Sequence, residues 1–326
     1  MKKTGTWLAI GLVLTVGLTP AAAQGKKYTI VLIPGLTTDG FYITMRKGAE
    51  DAAKKLGVTL SFQGGPEFNP TVQIPVLNAV IARKPDAILI APTDKQQLIA
   101  PLRAAQAAGI KVITVDTFIG DSGKYQTGSG AADFPLSYVA SDNVEGGRVA
   151  ARALAKAIGN KGKVYVSNVK PGISTTDQRE QGFKEEMKKF SGITVLPTQY
   201  NDNDSNKAAS QFAAVLARNA DLAGVFGANL FSAQGAANGV KTSGKTGAVK
   251  VVAFDAPESI VNDIKNGTID IAIAQHPAEM GAKGVEYAVA ALSGKKIPAQ
   301  YGTGYTVMDK SNIDDPKVQA FIYSSK

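Results

Sequence analysis

Residues 29–57, TIVLIPGLTTDGFYITMRKGAEDAAKKLG, decide the fold class. An apolar run breaks at a Pro-Gly pair, and a short loop containing Asp39 then leads to the adjacent aromatic residues Phe41 and Tyr42. The apolar residues that follow recur at helical spacing, and Gly57 ends the predicted helix. A strand is therefore joined to a helix by a loop that carries an acidic group and two aromatic rings. In open α/β sheets, this edge is where ligands bind.

Short β-branched runs alternate with alanine-rich helical runs along the rest of the chain. This alternation is typical of βαβ units around a mainly parallel sheet. The predicted strands are 28–33, 58–62, 87–90, 111–115, 163–166, 193–199, 223–227, 249–254 and 269–274. The predicted helices are 42–56, 70–83, 95–108, 144–158, 177–189, 205–218, 231–240, 257–266 and 277–293.

A glycine- and serine-rich interruption at 119–130 precedes the run Tyr138–Asp142. It predicts a crossover between two smaller sheets, so we expect two similar α/β lobes instead of one nine-stranded sheet. Residues 301–308 predict an extended segment that returns across the protein, and residues 316–323 predict a short closing helix. The length of 326 residues is enough for two compact lobes.

The first 23 residues have the pattern of a secretory signal peptide, because Lys2 and Lys3 precede an apolar run that ends at three alanines. No later apolar run approaches the roughly 20 residues that span a bilayer, so we expect an exported protein without direct membrane insertion. The chain has no cysteine, which excludes disulfides, thiolate metal sites and a lipidated cysteine anchor. These features predict a free periplasmic protein.

The formal net charge of +9 comes from scattered Lys and Arg residues. Nucleic-acid binding requires a localised basic stripe, so this pattern favours a solvated surface and no nucleic-acid partner.

Two short motifs resemble ligand sites but lie in the wrong context. Residues 239–246 match the P-loop pattern, yet a helical run precedes them and a strand follows, which is the reverse of the order that a phosphate site needs. Residues 201–206 resemble the start of a calcium loop, but the required Gly and Glu are replaced by Lys207 and Ala213. We expect an exposed turn at the first motif and a helix cap at Asp204 or Ser205 at the second.

Catalytic and metal-binding patterns are scarce. The sole histidine, His276, precedes a proline at a predicted helix start, and the sequence has neither a cysteine nucleophile nor a G-x-S-x-G motif. A single histidine does not form a typical zinc site. We therefore expect no enzyme activity, no metal and no cofactor, although paired carboxylates leave hydrolysis formally open.

Polar residues recur where predicted strands end. Each could be a helix cap by itself, but five such positions in one chain, together with Arg179 near a predicted helix start, indicate a shared cleft. The five residues are Asp39, Asp116, Asn229, Asp255 and Gln275.

This set of side chains matches the chemistry of a sugar or polyol. Carboxylates accept hydrogen bonds, amides donate and accept, and a guanidinium offers a planar set of donors, so together they can pair with vicinal hydroxyls. Phe41 and Tyr42 add aromatic faces that pack against the C–H face of a sugar ring.

The sequence resembles the periplasmic sugar-binding proteins of the ribose-binding type over nearly the whole mature chain. Four stretches carry the resemblance, and the last is the most specific. They are Asp39-Gly40-Phe41-Tyr42 with Lys47-Gly48-Ala49, Ala140-Ser141-Asp142-Asn143 with Gly146-Gly147, Arg179 with Gly182-Phe183, and Ala274-Gln275 with Pro277 and Gly281-Ala282-Lys283-Gly284-Val285-Glu286.

The resemblance implies two Rossmann-like lobes joined by three crossings near 140, 275 and 305. The N-terminal lobe is expected to comprise 26–140 and 276–305, and the C-terminal lobe 141–275 and 306–326. It also implies a monomeric receptor that binds a monosaccharide or polyol and delivers it to a membrane ABC permease.

Phe41 and Tyr42 would lie on one face of the sugar. Asp39 and Asp116 would belong to the N-terminal lobe, opposite Arg179, Asn229, Asp255 and Gln275. Asp142 and Asn143 are expected either to support the hinge or to contact the ligand.

Two departures from the ribose pattern bear on the ligand. Asp39 stands where ribose binders usually have Asn, and Thr117 stands where they have Arg. These changes make the expected pocket more negative by two charges. Another pentose, a hexose, a cyclic polyol and a ligand with a basic group therefore remain open.

Two other functions are compatible with the same fold. One is a ligand-sensing module for a chemoreceptor or sensor kinase. The other is the effector domain of a repressor, against which the signal peptide and the missing N-terminal helix-turn-helix argue.

Overall fold

The computed structural model describes Met1 and residues 27–120 and 134–324. The predicted signal peptide therefore lies outside the described residues except for Met1. Within the described ranges, no helix is both long and apolar enough to cross a membrane.

The described residues form thirteen strands and ten helices. The strands are β1 (Thr29–Ile33), β2 (Thr59–Phe62), β3 (Ala87–Ile90), β4 (Lys111–Val115), β5 (Tyr138–Ser141), β6 (Gly162–Asn168), β7 (Ile193–Val195), β8 (Gln199–Tyr200), β9 (Leu222–Gly227), β10 (Lys250–Phe254), β11 (Ile271–Gln275), β12 (Gln300–Thr303) and β13 (Tyr305–Asp309). The helices are α1 (Gly40–Leu56), α2 (Pro70–Ala82), α3 (Ile99–Ala107), α4 (Asn143–Ala157), α5 (Ser174–Met187), α6 (Ser205–Arg218), α7 (Leu230–Thr242), α8 (Glu258–Asn266), α9 (Pro277–Leu292) and α10 (Pro316–Gln319).

The strands form two separate sheets. The six-stranded sheet of the N-terminal lobe has the order β12-β5-β4-β3-β1-β2, and the seven-stranded sheet of the C-terminal lobe has the order β13-β11-β10-β9-β6-β7, with β8 beside β6. All pairings are parallel except that of β13 with β11. Parallel strands joined by helices place all their carboxyl ends at one edge, so each lobe presents one ligand-binding edge.

Apolar side chains cover both faces of each sheet. Along β1, Ile30 and Leu32 join the cluster that includes α1 and α9, whereas Val31 and Ile33 join the cluster that includes α2 and α3. Alternate residues of a strand point to opposite faces, so this run of four apolar residues is buried on both sides. The rigid strands hold the loops at their ends in fixed positions.

The prediction that the chain crosses between the sheets at the interruption of residues 119–130 was wrong. Both β4, before the glycine- and serine-rich interruption, and β5, after it, belong to the N-terminal sheet and pair with each other. Residues 121–130 of that interruption lie outside the described residues. The chain instead leaves this sheet after Ser141, and α4 packs on the C-terminal lobe. The sequence pattern predicts no strand at the position of β5.

Several predicted boundaries also differ from the structure. The single predicted strand at 193–199 is split into β7 and β8, and the predicted closing helix at 316–323 stops at Gln319. Helix α3 begins at Ile99 instead of residue 95, because Asp94 caps a tight turn by accepting hydrogen bonds from the backbone N–H groups of Gln96 and Gln97.

The two motifs with an unsuitable context have the expected local structure. Residues 239–242 complete helix α7, and Gly244, with a φ of 66°, lies in the turn that leads to β10. Asp204 caps α6 by accepting hydrogen bonds from the backbone N–H groups of Asn206 and Lys207. The predicted cap is confirmed, whereas the predicted turn is confirmed only after residue 242, because residues 239–242 are helical.

Candidate ligand-binding site

A cavity at the carboxyl ends of the strands lies between the two lobes. All eight predicted site residues line it: Asp39, Phe41, Tyr42, Asp116, Arg179, Asn229, Asp255 and Gln275. The structure therefore brings together side chains that follow β1, β4, β9 and β10, the last residue of β11, and one residue of α5.

Asp39 sits at the start of α1. It caps this helix, and its Oδ1 accepts a hydrogen bond of 2.9 Å from the backbone N–H of Phe41. Burial and the nearby carboxylate of Asp255 raise the pKa of Asp39 to about 7, although the N–H of Phe41 opposes the rise. Asp39 is thus a helix cap and an acid that titrates near neutral pH.

Asp116 follows β4 in a left-handed conformation with a φ of 60°, which Asp tolerates better than most residues. Its Oδ2 accepts a hydrogen bond of 2.7 Å from the hydroxyl of Tyr42. Its carbonyl accepts one of 2.7 Å from the hydroxyl of Tyr138. Burial raises its pKa to about 6, while Arg179 and the hydroxyl of Tyr42 act in the opposite direction. Tyr42 therefore orients the carboxylate, and Tyr138 holds the backbone of Asp116 beside the cavity.

Arg179 is the sole cationic side chain among the described residues that line the cavity. It is only 3% exposed. Its Nε donates to Asn143 Oδ1 at 2.8 Å, and its Nη1 donates to the carbonyl of Ala228 at 2.9 Å. The guanidinium carbon also lies 3.8 Å from the ring centroid of Phe254. These contacts fix the planar group before a ligand arrives, which lowers the entropy cost of binding.

Two further polar groups come from the C-terminal lobe. Asp255 follows β10 with a φ of 79°, and its Oδ1 accepts a hydrogen bond of 2.8 Å from Gln275 Nε2. Asn229 caps α7, and its Nδ2 donates to Asn203 Oδ1 at 2.7 Å. Each strand end therefore presents a side chain whose orientation is set by a neighbour.

Phe41 and Tyr42 meet edge to face, with ring centroids 5.1 Å apart and an interplanar angle of 86°. They lie on the same side of the cavity but do not form one flat platform, so only one of them can lie parallel to a sugar ring. The expectation that Phe41 and Tyr42 lie on one face of the sugar stays a prediction.

Eight further residues line the cavity and were not singled out from the sequence: Leu36, Phe68, Val169, Ile173, Thr175, Thr176, Asn203 and Phe231. Asn203 belongs to the polar run that resembles a calcium loop. Its position shortly after the end of β8 is the feature of the sequence that could have marked it as a cavity residue. Asn143, a candidate from its motif, supports Arg179, and Asp142 caps α4 by accepting from the backbone N–H of Glu145.

The cavity combines three carboxylates, three carboxamides, one guanidinium and aromatic rings. Such a set offers several acceptors and a smaller number of fixed donors, which suits a neutral ligand with several hydroxyl groups. A ligand that leaves one of these buried groups without a partner would bind less tightly.

A family model described as a periplasmic binding protein domain matches residues 30–296. The chain belongs to the periplasmic binding protein family. This periplasmic binding protein is 32% identical to the ribose import binding protein of Salmonella typhimurium, over 92% of this chain and 96% of that protein. It is 30% identical to the D-allose-binding periplasmic protein of Escherichia coli, over 92% and 95%.

A solved structure gives a third comparison. An ABC transporter solute-binding protein of Agrobacterium vitis, bound with α-D-tagatopyranose, is 68% identical to this periplasmic binding protein. The TM-score is 0.89, and the match covers 91% of this chain and 100% of the other. The predicted family, the two-lobed α/β fold and the predicted function as a sugar-binding component of an ABC importer are confirmed.

Proposed function

We propose that the protein binds a monosaccharide in the interlobe cavity through Asp39, Phe41, Tyr42, Asp116, Arg179, Asn229, Asp255 and Gln275. The observation that carries the proposal is that these eight residues, chosen from separate parts of the sequence, all line one cavity. Four side chains come from each lobe, so a ligand that contacts both sets stabilises the closed arrangement of the lobes.

The ligand that we propose is a ketohexose in its pyranose form, such as D-tagatose. The 68%-identical protein of Agrobacterium vitis was solved with α-D-tagatopyranose. A pyranose also suits the cavity chemically, because its vicinal hydroxyls can pair with carboxylates and carboxamides while its C–H face contacts an aromatic ring.

Thermal-shift measurements with single sugars test this proposal. We expect D-tagatose to raise the melting temperature more than D-ribose, D-allose or D-arabinose, since a ligand that binds only the folded state stabilises it. D-Galactosamine probes the ligand with a basic group. If no sugar or polyol shifts the melting temperature, the proposed function is wrong; if another sugar gives the larger shift, only the choice of tagatose is wrong.

Asp116→Ala tests the site itself. It should abolish the shift caused by the preferred sugar, because it removes an acceptor held in the cavity by Tyr42. Asp314→Ala is the matched control, since this carboxylate is 78% exposed and pairs with Lys265 on the surface. An undiminished shift in Asp116→Ala would remove Asp116 from the site.

We further propose that the mature protein is periplasmic, begins near Gln24, delivers its sugar unchanged to a membrane permease and has no enzyme activity. The support is the signal-like sequence at 1–23 and the import function named for its relatives. Mass spectrometry of the exported protein tests the cleavage site. NMR of the sugar recovered after binding tests for turnover, and any new sugar product would contradict the receptor role.

A further inference from the structure

Tyr323 contacts Asp255 and Gln275, two polar residues that line the cavity, but does not line the cavity itself. The side chain is 1% exposed, and its hydroxyl donates to Asp255 Oδ1 at 3.1 Å. The same hydroxyl accepts a hydrogen bond of 2.7 Å from the backbone N–H of Gln275. Burial raises the pKa of Tyr323 well above its usual value, so the phenol keeps its proton and remains a donor.

Gln275 makes its side-chain contact with the same carboxylate. Its Nε2 donates to Asp255 Oδ1 at 2.8 Å. Because a carboxylate can only accept hydrogen bonds, the NH₂ group of the carboxamide must face Asp255, and its oxygen must point elsewhere. Tyr323, Asp255 and Gln275 are therefore hydrogen-bonded to one another, and these bonds determine that the carboxamide oxygen of Gln275, and not its nitrogen, is available to a ligand.

The free atom is Gln275 Oε1. It is buried and has no hydrogen-bond partner among the described residues, while Gln275 as a whole is 1% exposed and lines the cavity. Leaving a buried acceptor without a partner is costly, so a ligand whose hydroxyl donates to it should bind about tenfold more tightly than a ligand that cannot donate.

Residues 323–324 also connect the two lobes. The backbone N–H of Tyr323 donates to Ala256 in the C-terminal lobe, whereas its ring meets Phe41 of the N-terminal lobe edge to face at 5.7 Å. The backbone N–H of Ser324 donates to Thr44 Oγ1 at 2.7 Å, also in the N-terminal lobe. The hydroxyl that orients Asp255 is thus anchored on both sides of the cavity.

We propose that Tyr323 is a positioning residue that sets ligand selectivity, because it holds Asp255 and Gln275 so that Gln275 Oε1 faces the ligand as an acceptor and requires a donating hydroxyl there. This inference rests on the proposed sugar-binding function. It identifies one contact as an acceptor site, and it assigns a role in recognition to a residue outside the cavity lining.

The test compares wild-type protein with Tyr323→Phe by calorimetry on D-tagatose and its monodeoxy analogues. The ring and its contact with Phe41 remain in Tyr323→Phe, but the hydroxyl is lost. We expect the affinity for D-tagatose to fall about tenfold, which corresponds to one lost hydrogen bond. We also expect the analogue that the wild type rejects most strongly to be rejected much less.

A double-mutant cycle separates positioning from general destabilisation. If Tyr323 acts through Gln275, then Tyr323→Phe should cost little further affinity in a Gln275→Ala background. Tyr165→Phe is the control, because Tyr165 is fully buried and its hydroxyl has no hydrogen-bond partner among the described residues. It should leave both affinity and selectivity unchanged.

Asp255→Asn provides a second variant that keeps Tyr323. An amide at position 255 can donate as well as accept, so it no longer forces the orientation of the Gln275 carboxamide, and the same analogue should gain relative affinity. The proposal is overturned if neither variant changes selectivity, if all analogues weaken by one common factor, or if the losses in the double-mutant cycle multiply. If the wild type binds no sugar at all, the proposed function itself has failed.

Discussion

The N-terminal and C-terminal lobes share one backbone arrangement but present different chemistry to the cavity. The order β2-β1-β3-β4-β5 in one lobe corresponds to β7-β6-β9-β10-β11 in the other. In both lobes, the helix after the first strand packs against a helix that follows a crossing from the other lobe: α1 against α9, and α5 against α4.

Glycines make these two helix pairs equivalent. Gly48 and Gly182 each stand eight residues after the first residue of their helices, α1 and α5. A Cβ at Gly48 would overlap the backbone carbonyl of Ala278, and a Cβ at Gly182 would overlap that of Val144. The close approach of the helices at these points requires glycine.

By the same correspondence, Met45 in the N-terminal lobe occupies the position equivalent to that of Arg179 in the C-terminal lobe, since each stands five residues after the start of its helix. Met45 is fully buried in the apolar core of its lobe, whereas Arg179 lines the cavity. Asp116 and Asp255 also correspond, because both follow the fourth strand of the shared order in a left-handed conformation and accept a hydrogen bond from a tyrosine hydroxyl. The shared backbone fixes positions, and a few side-chain changes supply the asymmetry that a sugar requires.

The helix contacts should respond equally in the two lobes. Gly48→Ala and Gly182→Ala should each lower the free energy of unfolding by about 3 kcal/mol, because the added methyl forces two helices apart and this outweighs the helix propensity that Ala gains. Urea unfolding of the unliganded protein measures the effect. Gly302→Ala is the control, since nothing lies within 4 Å of its Cβ position. A cost confined to one lobe would break the equivalence.

Removal of Arg179, the cation that lines the cavity from the C-terminal lobe, should have the next largest effect. Arg179→Met places the residue of the N-terminal lobe at the equivalent position and leaves the three cavity carboxylates without a lining cation. We expect the affinity for the preferred sugar to fall about 100-fold, consistent with losing a buried charged partner. Calorimetry gives the ratio.

Arg46→Met is the matched control for Arg179→Met, because Arg46 is 49% exposed and pairs with Glu50 on the same helix. It should leave the affinity unchanged and cost at most about 0.5 kcal/mol of stability. An affinity within threefold of wild type in Arg179→Met would show that the cation does not contribute to binding.

The strand-end residues of the cavity could be predicted from the sequence because parallel strands place their carboxyl ends together. Asp116 and Asp255 could be chosen from local pattern alone, since each follows an apolar β-branched run. The angle of 86° between the rings of Phe41 and Tyr42 could not be predicted, because it depends on side-chain torsions that the sequence does not give.

Other features depend on contacts that no local pattern reveals. Tyr323 reaches Asp255 across 68 residues of sequence and Gln275 across 48, in a segment without regular secondary structure. Strand β5 has only four residues, all of them buried, so it lacks the alternation that marks a half-buried strand. Its pairing with β4 was therefore missed, and the crossover was placed too early.

A final prediction concerns the acids of the N-terminal lobe and the dependence of stability on pH. Asp39 and Asp116 have ordinary pKa values of 3.8, which burial raises to about 7 and about 6 in the folded protein. The folded state then binds protons more tightly than the unfolded state. The resulting stabilisation is complete below about pH 4 and is lost as the pH rises through 6 and 7.

The unliganded protein should therefore lose a few kcal/mol of stability between pH 5 and pH 8 from these two groups. The double variant Asp39→Asn/Asp116→Asn keeps the shape of both side chains but cannot titrate, so its free energy of unfolding should change less over this interval. Urea unfolding at both pH values measures the difference.

Asp221→Asn, at an exposed carboxylate paired with Lys163, is the control and should follow the wild type. Equal pH dependence in the double variant and the wild type would mean that both acids are already ionised at pH 5, and the chemical contrast between the lobes would then rest on Arg179 alone.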